Sequence, residues 1–225
     1  MNKPVLYMGN RAYSSWSLRA WWTLKLAGVD FDDVVIPLEG AGGSEERRNS
    51  KTLWRYSPSG KVPVLKVGEL VIWDSLAIME YAADQHDRSV WPESPDARAI
   101  ARSVVAEIHG GFAGLGTQVV FNCSRVPIVF EPNAESRRGI ERICNLWLDC
   151  RERFGGNGAF LFGQPGAADA ASAPLVSIFH TYGFVVPQRV QEYMDAVLSH
   201  PMVEAWVAAA RKEPWRIEAY ERIGT

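Results

Sequence analysis

Residues 60–81 read GKVPVLKVGELVIWDSLAIMEY, and this stretch decides the fold of the first part of the chain. Two apolar runs, 61–66 and Leu70–Trp73, flank the turn 67–69, which is the pattern of a β-hairpin. Apolar residues at helical spacing follow from Asp74-Ser75 onward and predict a helix. Because Pro63 cannot donate to a strand ladder, it indicates either an edge strand or an unusual peptide bond.

Two more strands and a helix precede this hairpin. The apolar stretches 5–8 and 31–38 each predict a strand, and the helix between them begins near Ser14-Ser15 and ends at Gly28. A strand, a helix and a strand so close together form a βαβ unit with parallel strands. The stretch 39–50, rich in glycine and charge, is predicted to be a loop or a weak helix. The element order predicts an α/β domain of the thioredoxin-like type over residues 1–85.

The rest of the chain has a helical pattern. Residues 86–95 contain two prolines and several polar residues, which predicts a linker before an all-α domain over 96–225. The predicted helices span residues 96–121, 132–154, 167–182, 188–198 and 202–212. Four glycines within the first of them favour tight helix packing or a kink, or alternatively one wall of a ligand pocket.

Composition excludes several classes of protein. The 225 residues are 47% hydrophobic and 22% charged, which is typical of a globular protein. The net charge of −2 excludes a strongly basic footprint, so nucleic acid is not an expected partner. No apolar run approaches the roughly 18 residues that span a bilayer, and the start does not resemble a signal peptide, so we expect a cytoplasmic protein. The three cysteines show no Cys-x-x-Cys spacing, which argues against a disulfide scaffold, a metal site or a dithiol redox motif.

Hydroxyl side chains cluster where the first helix begins, at Tyr13, Ser14 and Ser15. A helix N-terminus favours anions, and a thiolate is such an anion. A serine hydroxyl that donates to sulfur would lower the thiol pKa from its ordinary value of about 8.5. The alternative is that Ser14 or Ser15 only caps the helix, as serine commonly does. The residues alone leave both interpretations open.

Two other features lie near the same end of the sheet. If the Val62-Pro63 bond is cis, the backbone of Val62 faces the mouth of the site, where a peptide could pair with it as a strand does. An ordinary trans proline is the alternative. At the start of the next helix, Ser75 can bind a carboxylate and Asp74 an ammonium group, or either can act only as a cap. Together these features describe a pocket for a zwitterionic peptide with a central thiol.

Four motifs resemble the cytosolic glutathione transferase family in order and spacing. They are the stretches 13–19 (YSSWSLR), 60–65 (GKVPVL), 73–81 (WDSLAIMEY) and 160–163 (FLFG) followed by Ala168-Asp169. The resemblance covers residues 4 to about 215, and its first motif is similar to the serine-type zeta class and its bacterial relatives. Two positions depart from the family. Trp16 replaces the cysteine that is usual in the zeta class, and Gly166 replaces the usual Ser or Thr cap before Asp169.

The resemblance implies a glutathione-dependent transferase that activates the glutathione thiol for attack on a small hydrophobic electrophile. It implies that Ser14 is the activating hydroxyl, with Ser15 as its nearest substitute and Tyr13 as a rival. The residues expected to bind glutathione are Lys61, Val62, Pro63 in a cis bond, Asp74 and Ser75. The residues expected to line the electrophile pocket are Tyr13, His109, Phe112 and Ala113.

The resemblance also implies that the protein is a homodimer. Three other functions are left open: a glutathione-dependent isomerase of the zeta type, a non-catalytic glutathione-binding protein, and a glutathione-dependent reductase. The reductase is disfavoured because residues 1–85 contain no cysteine that could serve as the nucleophile.

Overall fold

A four-stranded sheet forms the centre of the first part of the chain. The computed structural model describes residues 3–38, 51–85, 90–111 and 115–224. The strands are β1 (Val5–Met8), β2 (Asp32–Val35), β3 (Val64–Val67) and β4 (Leu70–Trp73), in the spatial order β2-β1-β3-β4. β1 pairs in parallel with β2 and antiparallel with β3, and β3 and β4 form the predicted hairpin. The predicted thioredoxin-like arrangement is confirmed.

Helices flank this sheet. They are α1 (Ser15–Leu26), α2 (Lys51–Tyr56) and α3 (Ser75–Gln85). α1 connects the two parallel strands and is followed by Gly28, whose φ of +78° is the left-handed conformation that terminates many helices. The stretch 39–50, for which a loop or a weak helix is predicted above, lies outside the described residues.

The second part is helical, as predicted. Its helices are α4 (Pro95–Gly110), α5 (Leu115–Gln118), α6 (Ala134–Phe154), α7 (Ala167–Thr181), α8 (Gln188–Leu198), α9 (Pro201–Lys212) and α10 (Glu218–Glu221). The prediction of one helix over 96–121 is wrong. α4 ends at Gly110 because Gly111 has a φ of +87°, which a right-handed helix cannot continue through. None of the helices in the described ranges combines the length and the apolar character that crossing a membrane requires.

α1 is packed on both sides, which fixes the position of its N-terminus. It contacts α3 beside the sheet and α7 in the helical part. Trp22 of α1 is completely buried, and Trp147 of α6 and Trp206 of α9 are at most 1% exposed. The Trp21 ring of α1 lies 5.3 Å from the Trp206 ring and the Trp22 ring lies 5.0 Å from the His200 ring, both between centroids, so buried aromatic contacts join α1 to the helical part.

The start of α7 explains one departure from the family. Asp169 is fully buried and accepts hydrogen bonds from the backbone N–H groups of Leu161 (3.1 Å) and Gly166 (2.9 Å). A Cβ atom at position 166 would lie 2.8 Å from the carbonyl oxygen of Val90. That oxygen also accepts from the Ala167 N–H at 2.9 Å. A serine or threonine at position 166 would displace the Val90 backbone, so glycine fits this contact.

Candidate functional site

A cavity of about 630 Å³ opens where β1 leads into α1. Its volume lies within the range of small-molecule sites. The predicted residues that line it are Tyr13, Ser14, Lys61, Val62, Pro63, Asp74, Ser75 and His109. Ser15, the half-buried first residue of α1, is not among the described residues of the lining. Phe112 and Ala113 lie outside the described residues.

Ser14 is the N-cap residue of α1, yet its side chain makes no capping hydrogen bond. Its hydroxyl instead donates to Oγ of Ser17 at 2.7 Å, and the Ser14 side chain is almost fully buried. Its backbone N–H donates to the Asn10 carbonyl at 2.9 Å, which fixes the turn before the helix. The hydroxyl is therefore not committed to capping α1, and it lies at the cavity.

The Tyr13 hydroxyl is engaged elsewhere. It donates to the carboxylate of Glu221 in α10, and its ring makes an edge contact with Tyr220 at 5.8 Å between centroids. Burial, followed by the hydrogen bond to Glu221, raises the pKa of Tyr13 to about 12. Although Tyr13 contributes to the cavity wall, its proton is held by the C-terminal part of the chain. Of the two neighbouring hydroxyls, the geometry favours Ser14 as the donor to a ligand.

The Val62-Pro63 peptide bond is cis, which confirms the expectation from the resemblance. The ladder between β3 and β4 begins at the pair Val64 and Trp73, so Val62 lies before the paired region. Val62 therefore lies at the cavity with its backbone outside that ladder. This is the position from which a backbone can pair with an extended peptide.

Asp74 and Ser75 form the wall at the start of α3. Asp74 has a φ of +76°, a left-handed conformation that few residues other than glycine adopt. One of its oxygens accepts from the Leu76 N–H at 2.8 Å, and the other lies 3.4 Å from Nε2 of His109. Oγ of Ser75 is buried and has no hydrogen-bond partner within the described part of the chain. Leaving a buried hydroxyl unpaired costs about 1–3 kcal/mol, so a polar ligand group is the natural partner.

An aromatic residue with a cation behind it forms another part of the wall. Trp16 is 40% exposed, and its ring makes an edge contact with His109 at 5.2 Å between centroids. The guanidinium carbon of Arg19 lies 4.2 Å from the centre of the Trp16 ring. Burial lowers the pKa of Arg19 to about 10, and the nearby charge of Asp74 opposes this shift. A buried positive charge therefore lies close to the cavity.

Ser17 and Glu221 are contacts of the site that the sequence did not predict. Ser17 lies three positions after Ser14 on a helix, and such spacing places two side chains on one face, which is the signal that could have indicated the contact. Glu221 reaches Tyr13 from 208 positions away in the chain. No local pattern of residues encodes a contact of that separation.

Comparison with known proteins supports the resemblance. Residues 13–85 match the family described as glutathione S-transferase, N-terminal domain. Maleylacetoacetate isomerase of Mus musculus is 36% identical over 114 residues, which cover 50% of this chain and 50% of the mouse protein. The chain thus matches about half the length of this curated relative.

Solved structures share the fold at lower sequence identity. A glutathione transferase homolog from Burkholderia GL BGR1, with bound glutathione, gives a TM-score of 0.69 at 22% identity, covering 94% of this chain and 100% of that one. Glutathione S-transferase unclassified 2 from Bombyx mori gives 0.70 at 17% identity, covering 93% and 94%. The chain therefore has the fold of these glutathione transferases, and its residues 13–85 match the model of their N-terminal domain.

Proposed function

We propose that the protein binds glutathione in the cavity beside α1 and activates its thiol for attack on a small hydrophobic electrophile. The observation that carries the proposal is the position of Ser14. Its hydroxyl is free of capping and lies in the same cavity as Val62 and Ser75. The same pocket thus contains a polar group for the thiol, one for the peptide backbone and one for the terminal carboxylate.

Each residue of the lining has a proposed role in holding glutathione. Val62 and Pro63 would bind the backbone of the cysteinyl residue. Asp74 would bind the ammonium group of the γ-glutamyl residue, and Ser75 its carboxylate. The unpaired Oγ of Ser75 supports this fit, because a carboxylate would satisfy a buried hydroxyl that has no partner among the described residues. Lys61 would contact the glycyl carboxylate.

The proposed chemistry is ionisation of the thiol before attack. A free thiol has a pKa near 8.5, so only a small part of it is thiolate at neutral pH. A hydrogen bond donated by Ser14 stabilises the thiolate, and the N-terminus of α1 and the charge of Arg19 favour the anion further. Ser15 remains the nearest substitute for Ser14, and the wall formed by Tyr13 and His109 would face the electrophile.

An isomerase of the zeta type is the second candidate. It is supported by the 36% identity with maleylacetoacetate isomerase over half of the chain. Trp16 stands where the zeta class usually has cysteine, so we place conjugation first. A protein that binds glutathione without turnover is the remaining alternative, and affinity capture on immobilised glutathione without turnover across a panel of electrophiles would favour it.

We further propose a cytoplasmic homodimer with the domain division 1–85, 86–95 and 96–225, as the resemblance implies. The residues described here include no group of three or more His, Cys, Asp or Glu side chains that could hold a metal ion. The proposed co-substrate is glutathione itself.

The test of the proposed function is the pH dependence of conjugation with an activated aromatic halide. Ser14→Ala should raise the pKa of the bound thiol by about one to two pH units, because a hydrogen bond to a charged acceptor contributes about 1.5–3 kcal/mol. The rate should therefore fall most near neutral pH and recover at alkaline pH. Glutathione affinity should fall only modestly, because the other residues still hold the peptide.

Ser15→Ala and Tyr13→Phe are the matched controls. We expect smaller shifts of the pKa of the bound thiol from both, since Ser15 is not among the described lining residues and the Tyr13 hydroxyl donates to Glu221. A wild-type profile in Ser14→Ala, together with an alkaline shift in either control, would assign activation to the neighbouring hydroxyl.

A further inference from the structure

A second buried hydroxyl lies directly behind Ser14. Ser17 is completely buried, and its Oγ accepts two hydrogen bonds, one from the Ser14 hydroxyl at 2.7 Å and one from the Gly9 N–H at 3.1 Å. Ser17 is not among the described residues that line the cavity. It therefore contacts the residue that faces the ligand without facing the ligand itself.

The number of protons in this pair limits the hydrogen bonds that Ser14 can donate. A serine hydroxyl has one proton to donate and two lone pairs with which to accept. In the structure Ser14 donates its single proton to Ser17, and both lone pairs of Ser17 accept hydrogen bonds. Ser14 can donate to a thiolate only by withdrawing that proton from Ser17. One lone pair of Ser17 then has no donor, and Oγ of Ser14 no longer donates to Ser17.

The 2.7 Å separation permits the hydrogen bond to reverse. When Ser14 turns its proton toward the cavity, Ser17 can donate its own proton to Oγ of Ser14 and keep the Gly9 N–H as its anchor. The result is a chain of donors from Gly9 through Ser17 and Ser14 to the sulfur. Hydrogen bonds in such a chain polarise one another, and more strongly where water is excluded.

We propose that Ser17 is a positioning residue for thiol activation, whose hydroxyl reverses its hydrogen bond with Ser14 when a thiolate binds. The inference rests on the proposed function. In this role Ser17 fixes the rotamer of Ser14 and makes the Ser14 hydroxyl a stronger hydrogen-bond donor. The absence of a side-chain capping bond from Ser14 supports it, because the hydroxyl is oriented by Ser17 and not by the helix terminus.

The test uses the full chain and three variants. Ser17→Ala removes the hydroxyl, and Ser17→Cys keeps the volume but offers a weaker donor. Thr23→Ala is the matched control, because Thr23 is also fully buried on α1 and its hydroxyl donates to the Arg19 carbonyl at 2.8 Å, away from Ser14. The ultraviolet absorbance of thiolate as a function of pH gives the pKa of bound glutathione. Calorimetry with S-methylglutathione measures binding without an ionisable thiol.

We expect Ser17→Ala to lower the fraction of bound thiolate at neutral pH by about threefold to tenfold, less than Ser14→Ala does. The thiolate fraction in Ser17→Cys should fall between those of wild type and Ser17→Ala. If Ser17→Ala does not fold, the test rests on Ser17→Cys. Thr23→Ala should leave the thiol pKa unchanged. Affinity for S-methylglutathione should stay within about twofold of wild type in each variant that folds, because the peptide contacts are intact.

An unchanged thiol pKa in the folded Ser17 variants, while Ser14→Ala raises it, would overturn this inference and leave the proposed function in place. An equal shift in Thr23→Ala would also overturn it, since any buried hydroxyl of α1 would then have the same effect. If thiol bound to the wild-type protein titrates like free glutathione, the proposed function fails and this inference fails with it.

Discussion

At the scale of single residues, Tyr13 and Ser14 show how two adjacent hydroxyls come to have different roles. Tyr13 directly precedes Ser14, the N-cap residue of α1, and only the family resemblance favours Ser14 over Tyr13 as the donor. The difference comes from their partners, Glu221 for Tyr13 and Ser17 for Ser14. A hydroxyl that donates to a carboxylate gives up a strong, charge-assisted bond if it turns away, whereas one that donates to another hydroxyl gives up less. Redirecting the Ser14 hydroxyl toward a ligand therefore costs less free energy than redirecting the Tyr13 hydroxyl.

Arg19 carries the clearest conflict between stability and the proposed activity. Its buried guanidinium has no hydrogen-bond partner at Nε among the described residues, and burial lowers its pKa to about 10. Burying an incompletely paired charge is costly, so Arg19→Met should leave the free energy of unfolding unchanged or raise it by about 1–2 kcal/mol. The same variant should raise the pKa of bound glutathione, because a positive charge near the thiolate is lost.

The control for Arg19 is Lys25→Met on the same helix, whose ammonium lies 4.3 Å from the centre of the Phe31 ring. It should not change the thiol pKa. Chemical denaturation and the thiolate titration measure the two effects separately. A loss of several kcal/mol in Arg19→Met would show that the guanidinium stabilises the fold and would contradict this interpretation.

At the scale of helices and strands, the sequence predicts elements well where a residue pattern repeats within the element. The hairpin of β3 and β4 and the helix α8 have such patterns, and their positions agree closely with the structure. The long helix over 96–121 was wrong because apolar periodicity continues across Gly111, whose left-handed backbone ends α4. The four-residue α10 was missed because one helical turn is too short for periodicity, and its role depends on distant contacts.

Part of the cavity lining was predictable from the sequence in the same way. The residues proposed to contact glutathione lie at helix starts and beside a proline, and these positions have local signals. Ser17 and Glu221 contact other side chains of the site, and the roles proposed for them depend on how separate elements pack. Such partners become visible only once the three-dimensional arrangement is known.

Asp169 should be essential to the start of α7. Asp169→Ala would leave the buried N–H groups of Leu161 and Gly166 without an acceptor, so we expect a loss of about 2–4 kcal/mol in the free energy of unfolding. Asp169→Asn keeps one acceptor oxygen and should lose less. Asp149→Ala is the control, because Asp149 forms an exposed ion pair with Arg153 and should cost at most about 0.5 kcal/mol.

The same carboxyl gives a pH dependence with a defined sign. Burial raises the pKa of Asp169 from 3.8 to about 6 in the folded protein. Because the folded state holds this proton more tightly than the unfolded state, the stabilisation is complete below the ordinary pKa and is lost as the pH rises through about 6. Wild type should therefore lose stability between these pH values relative to Asp169→Asn. Denaturation at several pH values measures this, and parallel curves would contradict it.

At the scale of the whole molecule, the proposed homodimer is directly testable. The resemblance implies that the first domain of one chain lies against the helical domain of its partner. Light scattering at micromolar concentration should therefore give twice the chain mass of 25.1 kDa. A particle with the mass of one chain would contradict the proposal.

The C-terminal part of the chain reaches back to the loop that precedes α1. Glu213 accepts from the Arg11 backbone N–H at 2.9 Å and from its guanidinium at 3.1 Å, and Trp206 donates to the Arg11 carbonyl at 3.0 Å. Glu221 accepts from Tyr13, the residue next to Ser14. The loop that carries the proposed donor is therefore held by side chains from α9, α10 and the segment between them, almost 200 residues or more away in sequence.

This arrangement predicts an energetic coupling between Tyr13 and Glu221. Glu221→Ala removes a hydrogen bond to a charged acceptor, which contributes about 1.5–3 kcal/mol, and Tyr13→Phe removes the same bond from the other side. In a double-mutant cycle the effects on the free energy of unfolding should fail to add by about 1–2 kcal/mol. Glu221→Ala should also slow conjugation, since the loop beside Ser14 loses an anchor while the peptide-binding residues stay in place.

Glu218→Ala is the matched control on the same short helix. Glu218 pairs with Arg222, and both side chains are more than three quarters exposed, with exposed fractions of 77% and 79%. Exposed pairs of this kind contribute little, so neither stability nor turnover should change measurably. If the Tyr13 and Glu221 effects simply add, the contact does not hold the loop. If Glu218→Ala slows turnover as much as Glu221→Ala does, the cause is a general disturbance of α10, because Glu221 bonds to Tyr13 whereas Glu218 pairs with Arg222.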